Sequence, residues 1–238
     1  VRDLAIFTLA RNETVFLPLW LRYYSRTGAN LFVLDHESTD TVVTDVPFEC
    51  VPVANPTTDD AGWMLRTVET FQRQLLRDYG TVIYAEADEL LAPVDGAPLR
   101  RYLDARPLPD AITATGFDIC DRGGPPDYTT LRRCGWRRND RYDKTLIARR
   151  PLSWEVGFHR LSDSSAPPPD PALRLLHLHY AWRETAWNRL AARMRDKPPA
   201  PGDLGWQNKF ADRDLFEIHF DATVAGAVPV PAEVGDLL

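Results

Sequence analysis

Three acids, Glu86, Asp88 and Glu89, follow the apolar run Val82-Ile83-Tyr84-Ala85, and carboxylates so placed can bind a hard cation. In open α/β sheets, ligands gather beyond the carboxyl ends of the strands. Read as an extended segment, the stretch projects Glu86 and Asp88 to one side, where both reach a single cation able to clamp a diphosphate. Acids that merely solvate a strand end are the plainer alternative, because so short a pattern often arises by chance. A second group lies in Leu176-His177-Leu178-His179-Tyr180, whose alternation puts two imidazoles on one strand face and leucines on the other. A histidine there would complete a site begun by Glu86 and Asp88, and a mixed oxygen and nitrogen donor set favours manganese over calcium. The pair fits equally well as hydrogen-bonded core or surface histidines. The third group comprises two polar loops, Thr8-Leu9-Ala10-Arg11-Asn12-Glu13 and Asp35-His36-Glu37-Ser38-Thr39-Asp40, each after a strand-like run. Such loops recognise a base and ribose through carboxylates and amides, and Arg11 can meet a phosphate. For Ser38 and Thr39 a simple turn stands beside that reading. Neither loop is glycine-rich, which argues against a dinucleotide-dependent dehydrogenase or a P-loop enzyme.

The elements that must position these residues follow from periodicity. Leu4–Ala10 reads as a buried strand. Phe16, Leu19, Trp20 and Tyr23 recur at helical spacing up to a stop at Gly28, and Leu31–Asp35 and Cys50–Val53 follow as strands. Leu65, Val68, Phe71, Gln72, Leu75, Leu76 and Tyr79 form one helical stripe interrupted only by Gln72, with Gly80 ending it before a strand at Thr81–Ala85. Three crossover units before residue 86 predict an α/β fold with a mainly parallel central sheet flanked by helices. Beyond it lies a more irregular C-terminal half, with strands at Ala111–Phe117, Thr145–Ala148 and Leu173–His179. Trp187, Leu190, Ala191 and Met194 predict a helix. Ser162–Pro171 and Lys197–Gly202 read as loops, the first of them mobile.

The 238 residues, 44% of them apolar, suit one domain, and a formal net charge of -6 excludes a broad nucleic-acid or anionic-membrane surface. No run has the roughly 20 apolar residues of a membrane span, and Val1–Ala10 lacks the layout of a secretion signal. Cys50, Cys120 and Cys134 are odd in number without CxxC spacing, so a reducing, cytoplasmic setting is expected.

Taken in order, these motifs resemble the family 2 glycosyltransferases and their relatives with the GT-A fold. The resemblance is carried by Arg11-Asn12-Glu13, by Leu17-Pro18-Leu19-Trp20-Leu21, by Asp35-His36 with Ser38-Thr39-Asp40, and by the acid-x-acid run from Glu86 to Leu90. It spans residues 1–100, with His179-Tyr180 the only later match. It implies one domain over 1–238, with a nucleotide-sugar-binding half (1–100) and an acceptor-side half (101–238). Leu9, Arg11, Asp35, His36 and Arg66 would border the nucleotide. Glu86 and Asp88 would form the metal motif, with His179 as third ligand, His177 as its substitute, and Arg183 near the diphosphate. Glu86 stands where the family usually has Asp, and its longer side chain could bind through water.

The implied activity is metal-dependent transfer of a sugar, hexosyltransferase-like, from a nucleoside diphosphate (UDP by analogy) to a hydroxyl of a glycan or small molecule. The cofactor would be manganese or magnesium. Direct displacement by that hydroxyl inverts the anomeric centre. The general base is expected among Glu155, His159 and Asp118; Trp154 and Phe158 fit sugar stacking or core packing, and Lys144 fits phosphate contact or the surface. A noncatalytic nucleotide-sugar-binding module of a larger protein and a nucleotidyltransferase are the rival readings.

Overall fold

The computed structural model describes residues 2–55, 60–105, 107–163, 165–196 and 212–238. Its first half is built from β1 (Arg2–Ala10), α1 (Phe16–Ser25), β2 (Asn30–His36), β3 (Glu49–Val53), α2 (Asp60–Leu75) and β4 (Tyr79–Tyr84). The strands pair in parallel in the order β3-β2-β1-β4. Both faces of this sheet are covered, which explains why β1, β2 and β4 are nearly continuous apolar runs. Phe16, Leu17, Leu19, Trp20, Leu21, Tyr23 and Tyr24 of α1 are all buried, and Gly28 takes φ +69° where the chain turns back into β2.

Two expectations need correction here. Tyr79 and Gly80 belong to β4 rather than to the helix, which ends at Leu75. The connection between β2 and β3 contains no helix, so only two of the three expected crossovers are helical. Gln72, which breaks the apolar stripe, is buried because its Oε1 accepts the Leu152 N–H at 2.7 Å, and Glu69 takes the Trp154 N–H at 2.9 Å. Helix α2 thus holds the 152–154 segment by polar contacts that an apolar side chain could not make.

The second half contains β5 (Glu89–Pro93), α3 (Leu99–Asp104), β6 (Ala111–Cys120), β7 (Gly135–Arg138), a 3-10 turn (Asp140–Tyr142), β8 (Lys144–Ala148), β9 (Pro169–Tyr180), α4 (Arg183–Asp196), α5 (Arg213–Val224), β10 (Val228–Pro229) and α6 (Ala232–Gly235). The sheet continues from β4 through antiparallel β8 to β6, which carries antiparallel β7 and parallel β9, and β9 carries antiparallel β5. Among the described residues the result is an α/β fold with one ten-stranded sheet, parallel in its first half and mixed in its second. The expected loop at Ser162–Pro171 ends earlier than predicted, since Pro169 and Asp170 already pair with β6; the loop expected at Lys197–Gly202 lies outside the described residues.

Two successive antiparallel steps make β6 run in the direction of β4, and β9 runs with β6. The carboxyl ends of β1, β2, β4, β6 and β9 therefore share one edge of the sheet. Gly116 sets part of that edge. A Cβ there would fall on backbone atoms of Tyr142 and Asn139, while its own N–H donates to Asp143 at 2.8 Å and its C=O accepts from Asn139 N at 3.0 Å. The 3-10 turn thus lies directly on β6. Gly116→Ala is expected to lower unfolding free energy by about 1–3 kcal/mol, the range for overpacking, as read by urea denaturation; wild-type stability would mean the close approach is not required.

Candidate metal and donor site

Asp88, His177 and His179 converge at this shared edge, one donor atom from each lying within 4.8 Å of the others. Asp88 sits in the turn between β4 and β5, closed by the Glu89 N–H on the Glu86 carbonyl at 2.9 Å. The turn breaks the extended geometry expected of this stretch and sends the two carboxylates to different partners. Glu86 is taken by Lys144, whose Nζ lies 2.6 Å from Glu86 Oε2 and 2.6 Å from Glu89 Oε1. Glu86 therefore stands beside the three-donor group rather than within it. The turn is further fixed from α1, where Tyr24 Oη donates to the Glu89 carbonyl at 3.2 Å and accepts from Leu91 N at 3.0 Å.

The two imidazoles come from alternate positions of β9 and lie nearly parallel, 5.7 Å apart, with Leu176 and Leu178 buried on the other face. His177 Nδ1 is 3.0 Å from Asp118 Oδ1, its register partner on β6, which leaves Nε2 facing Asp88 Oδ2 at 3.7 Å. Metal-ligating histidines usually carry such a carboxylate on the other nitrogen, so the set fits a divalent ion held by Asp88, His177 and His179. His179 Nδ1 faces the same Asp88 oxygen at 3.8 Å. Tyr142 stacks on His177 at 3.9 Å, and His159 meets the Tyr142 ring edge-on at 4.9 Å.

Burial and neighbouring charges together set the protonation states. Burial works against the Asp88 anion, but Arg189 and the two imidazoles outweigh it and hold its pKa well below the usual carboxylate value. Burial lowers His179 to about 4, leaving a neutral imidazole. His177 is raised despite its burial, because Asp118 hydrogen-bonds it and Asp88 adds negative charge. Burial likewise opposes the Asp118 anion, and the bond from His177 prevails and lowers it.

The residues expected to border a nucleotide are tied together across two loops. Asn12, at φ 54°, accepts the Thr39 N–H on Oδ1 at 2.8 Å and donates its own N–H to Ser38 Oγ at 3.1 Å, while Asp35 accepts the Ser38 N–H at 3.2 Å. Ser38 and Thr39 thus make the turn that was one of their two expected roles. Leu9 packs against the core, and Arg11 is half-buried with its Nε lacking a hydrogen-bond partner among the described residues. His36 is buried against Trp63 at 4.3 Å, and Arg66 is exposed on α2. Arg183 is directed to α5, paired with Glu217 and Asp221 and 4.5 Å over Phe220, so its guanidinium is not turned to the three donors.

Of the base candidates, Asp118 is buried and committed to His177 and to Asn139 Nδ2 at 2.8 Å, and Glu155 is exposed. His159 Nδ1 lies 2.8 Å from the Arg141 carbonyl, which requires the Nδ1–H tautomer and leaves Nε2 as an acceptor. Trp154 and Phe158 are core residues packed on Tyr84.

Sequence reasoning missed Arg189, the Lys144 ion triad and Tyr142. Arg189 had a faint signal, since Arg189 and Arg193 stand one helical turn apart beside the apolar stripe of α4.

No known protein family and no curated protein matches this sequence. Among solved structures, the chain is similar to a glycosyltransferase involved in the glycosylation of the major capsid of PBCV-1, at 9% identity and a TM-score of 0.29 over 96% of this chain and 81% of that one. It is also similar to UDP-glucose pyrophosphorylase complexed with UDP-glucose, at 10% identity and a TM-score of 0.33 over 85% of this chain and 83% of that one. At these scores neither likeness bears on the site. Among the described residues no helix is long and apolar enough to cross a membrane.

Lys144 is fully buried between two carboxylates, so Lys144→Met strands both charges and is expected to cost about 3–5 kcal/mol at neutral pH. Burial already raises Glu89 while Lys144 holds Glu86 low, and without the lysine burial is expected to raise Glu86 too and Glu89 further, so the deficit grows as pH rises through those values and shrinks in acid. Denaturation curves at pH 4 and pH 7 check this, and a deficit that ignores pH would contradict it.

Proposed function

We propose that this chain is a metal-assisted, inverting glycosyltransferase of the family 2 type, using a nucleoside diphosphate sugar, with UDP as the nucleotide. The observation that carries the reading is the convergence of Asp88, His177 and His179 at the sheet edge where the loops after β1 and β2 also end. A manganese or magnesium ion bound by these three side chains would neutralise the charge that develops as the nucleoside diphosphate leaves. Arg11, Asp35 and His36 then contribute to the nucleotide's surroundings, and the two loops are pre-ordered by Asn12.

His159 is the base this reading favours. Its Nε2 is an acceptor one ring away from His177, and burial lowers its pKa, so it is neutral at pH 7 and able to take the proton of an attacking hydroxyl. Attack from the face opposite the leaving diphosphate gives the inverted product.

The test is thermal unfolding with a panel of nucleoside diphosphates, with and without manganese, since a ligand bound only by the folded state raises the midpoint. The expected result is a shift for one nucleotide that depends on manganese and disappears in Asp88→Asn and His179→Ala. No shift with any nucleotide would overturn the donor-site reading. With the donor identified, His159→Ala is expected to retain nucleotide binding and lose transfer by about 10²–10⁴-fold. In the unmodified protein, kcat/KM should fall as pH drops through the lowered His159 value; binding without any transfer or donor hydrolysis would instead favour a binding module.

A further inference from the structure

Arg189 is the cation that Asp88 meets in this fold. Its Nη1 donates to Asp88 Oδ2 and lies 3.4 Å from His179 Nδ1, while Nε and Nη2 are 2.8 Å and 2.7 Å from Glu13 Oε1. Only 11% of the side chain is exposed, and the guanidinium lies 5.0 Å over the Phe16 ring. The oxygen that Arg189 holds is the same Asp88 Oδ2 that faces both imidazoles. A divalent ion there would meet a fixed positive charge within a few ångströms in a poorly solvated place, where like charges repel strongly. Arg189 and the ion would compete for that oxygen. Glu13, on the loop after β1, already accepts two of the guanidinium's N–H groups and can retain it when the bond to Asp88 opens.

We propose that Arg189 is an internal counter-cation that competes with the divalent ion for Asp88, and that Glu13 is the seat that receives it when the ion binds. The inference rests on the metal-site reading above and deepens it, because the balance between the two carboxylates then sets metal affinity. It also links metal loading to the nucleotide side, since Glu13 adjoins Asn12, which ties the two loops together.

The test is titration of the full chain with manganese alone, following the free-ion electron paramagnetic resonance signal in the wild type, Arg189→Gln and Glu13→Gln. Losing a charge-assisted competitor is expected to tighten binding about tenfold or more in Arg189→Gln. Glu13→Gln, which leaves Arg189 to Asp88, is expected to weaken binding by a similar factor. A supporting structural role for the pair would weaken both, so the opposite signs are decisive. Binding in the wild type that is equal or weaker in Arg189→Gln overturns the competition and leaves the metal site standing. No binding in either protein removes both readings. Should Arg189→Gln fail to fold, Arg189→Met, which keeps most of the side chain's length without its charge, takes its place in the same comparison, and equal or weaker binding there overturns the proposal.

Discussion

Glu13, Asp88, Glu89 and Asp118 are all buried at one edge of the sheet, and each must meet a positive charge or a donor there. Lys144 serves Glu89 and the nearby Glu86, Arg189 serves Asp88 and Glu13, and His177 serves Asp118. These partners come from β8, α4 and β9, elements distant in sequence. The charges therefore specify how the two halves of the chain close on each other, beyond what apolar packing dictates. Anything that binds at Asp88 must work against or within this network.

The aromatic and glycine contacts serve the same end. Tyr23 and Tyr24 of α1 bond the backbone of β5, so the buried helix fixes the acidic turn from below. Gly116 lets the 3-10 turn approach β6, which lays Tyr142 over His177. Gln72 and Glu69 bind the 152–154 segment to α2, ahead of the turn in which Gly157 and Phe158 take positive φ and present His159. Each contact joins an element whose existence periodicity predicts to a position that periodicity does not.

That division describes what could be read in advance. The parallel half was legible because β1, α1, β2 and β4 bury continuous or strictly periodic apolar faces, and the alternation in His177–His179 correctly put two imidazoles on one face. β5 was hidden because its one acid, Glu89, ends a run of acids that looked solvent-facing, whereas it is buried on Lys144. β7, β10 and the short helices were too brief to show a period. The grouping of Asp88 with His177 and His179 was legible, but the counter-charges that hold each acid in place were not. The turn at 87–88 that separates Glu86 from Asp88, and the swing of Arg189 rather than Arg183 toward the donors, depend on register between strands and on helix facing.

The central claim is that one carboxylate and two imidazoles bind a single divalent ion at this edge. Electron spin-echo envelope modulation of the manganese-loaded protein tests it most directly, because nitrogen ligands imprint their own frequencies on the bound ion. Modulation from two histidine nitrogens, reduced to one in His177→Ala, is the predicted result. Bound manganese with no nitrogen coupling, or modulation unchanged by that substitution, would contradict the account.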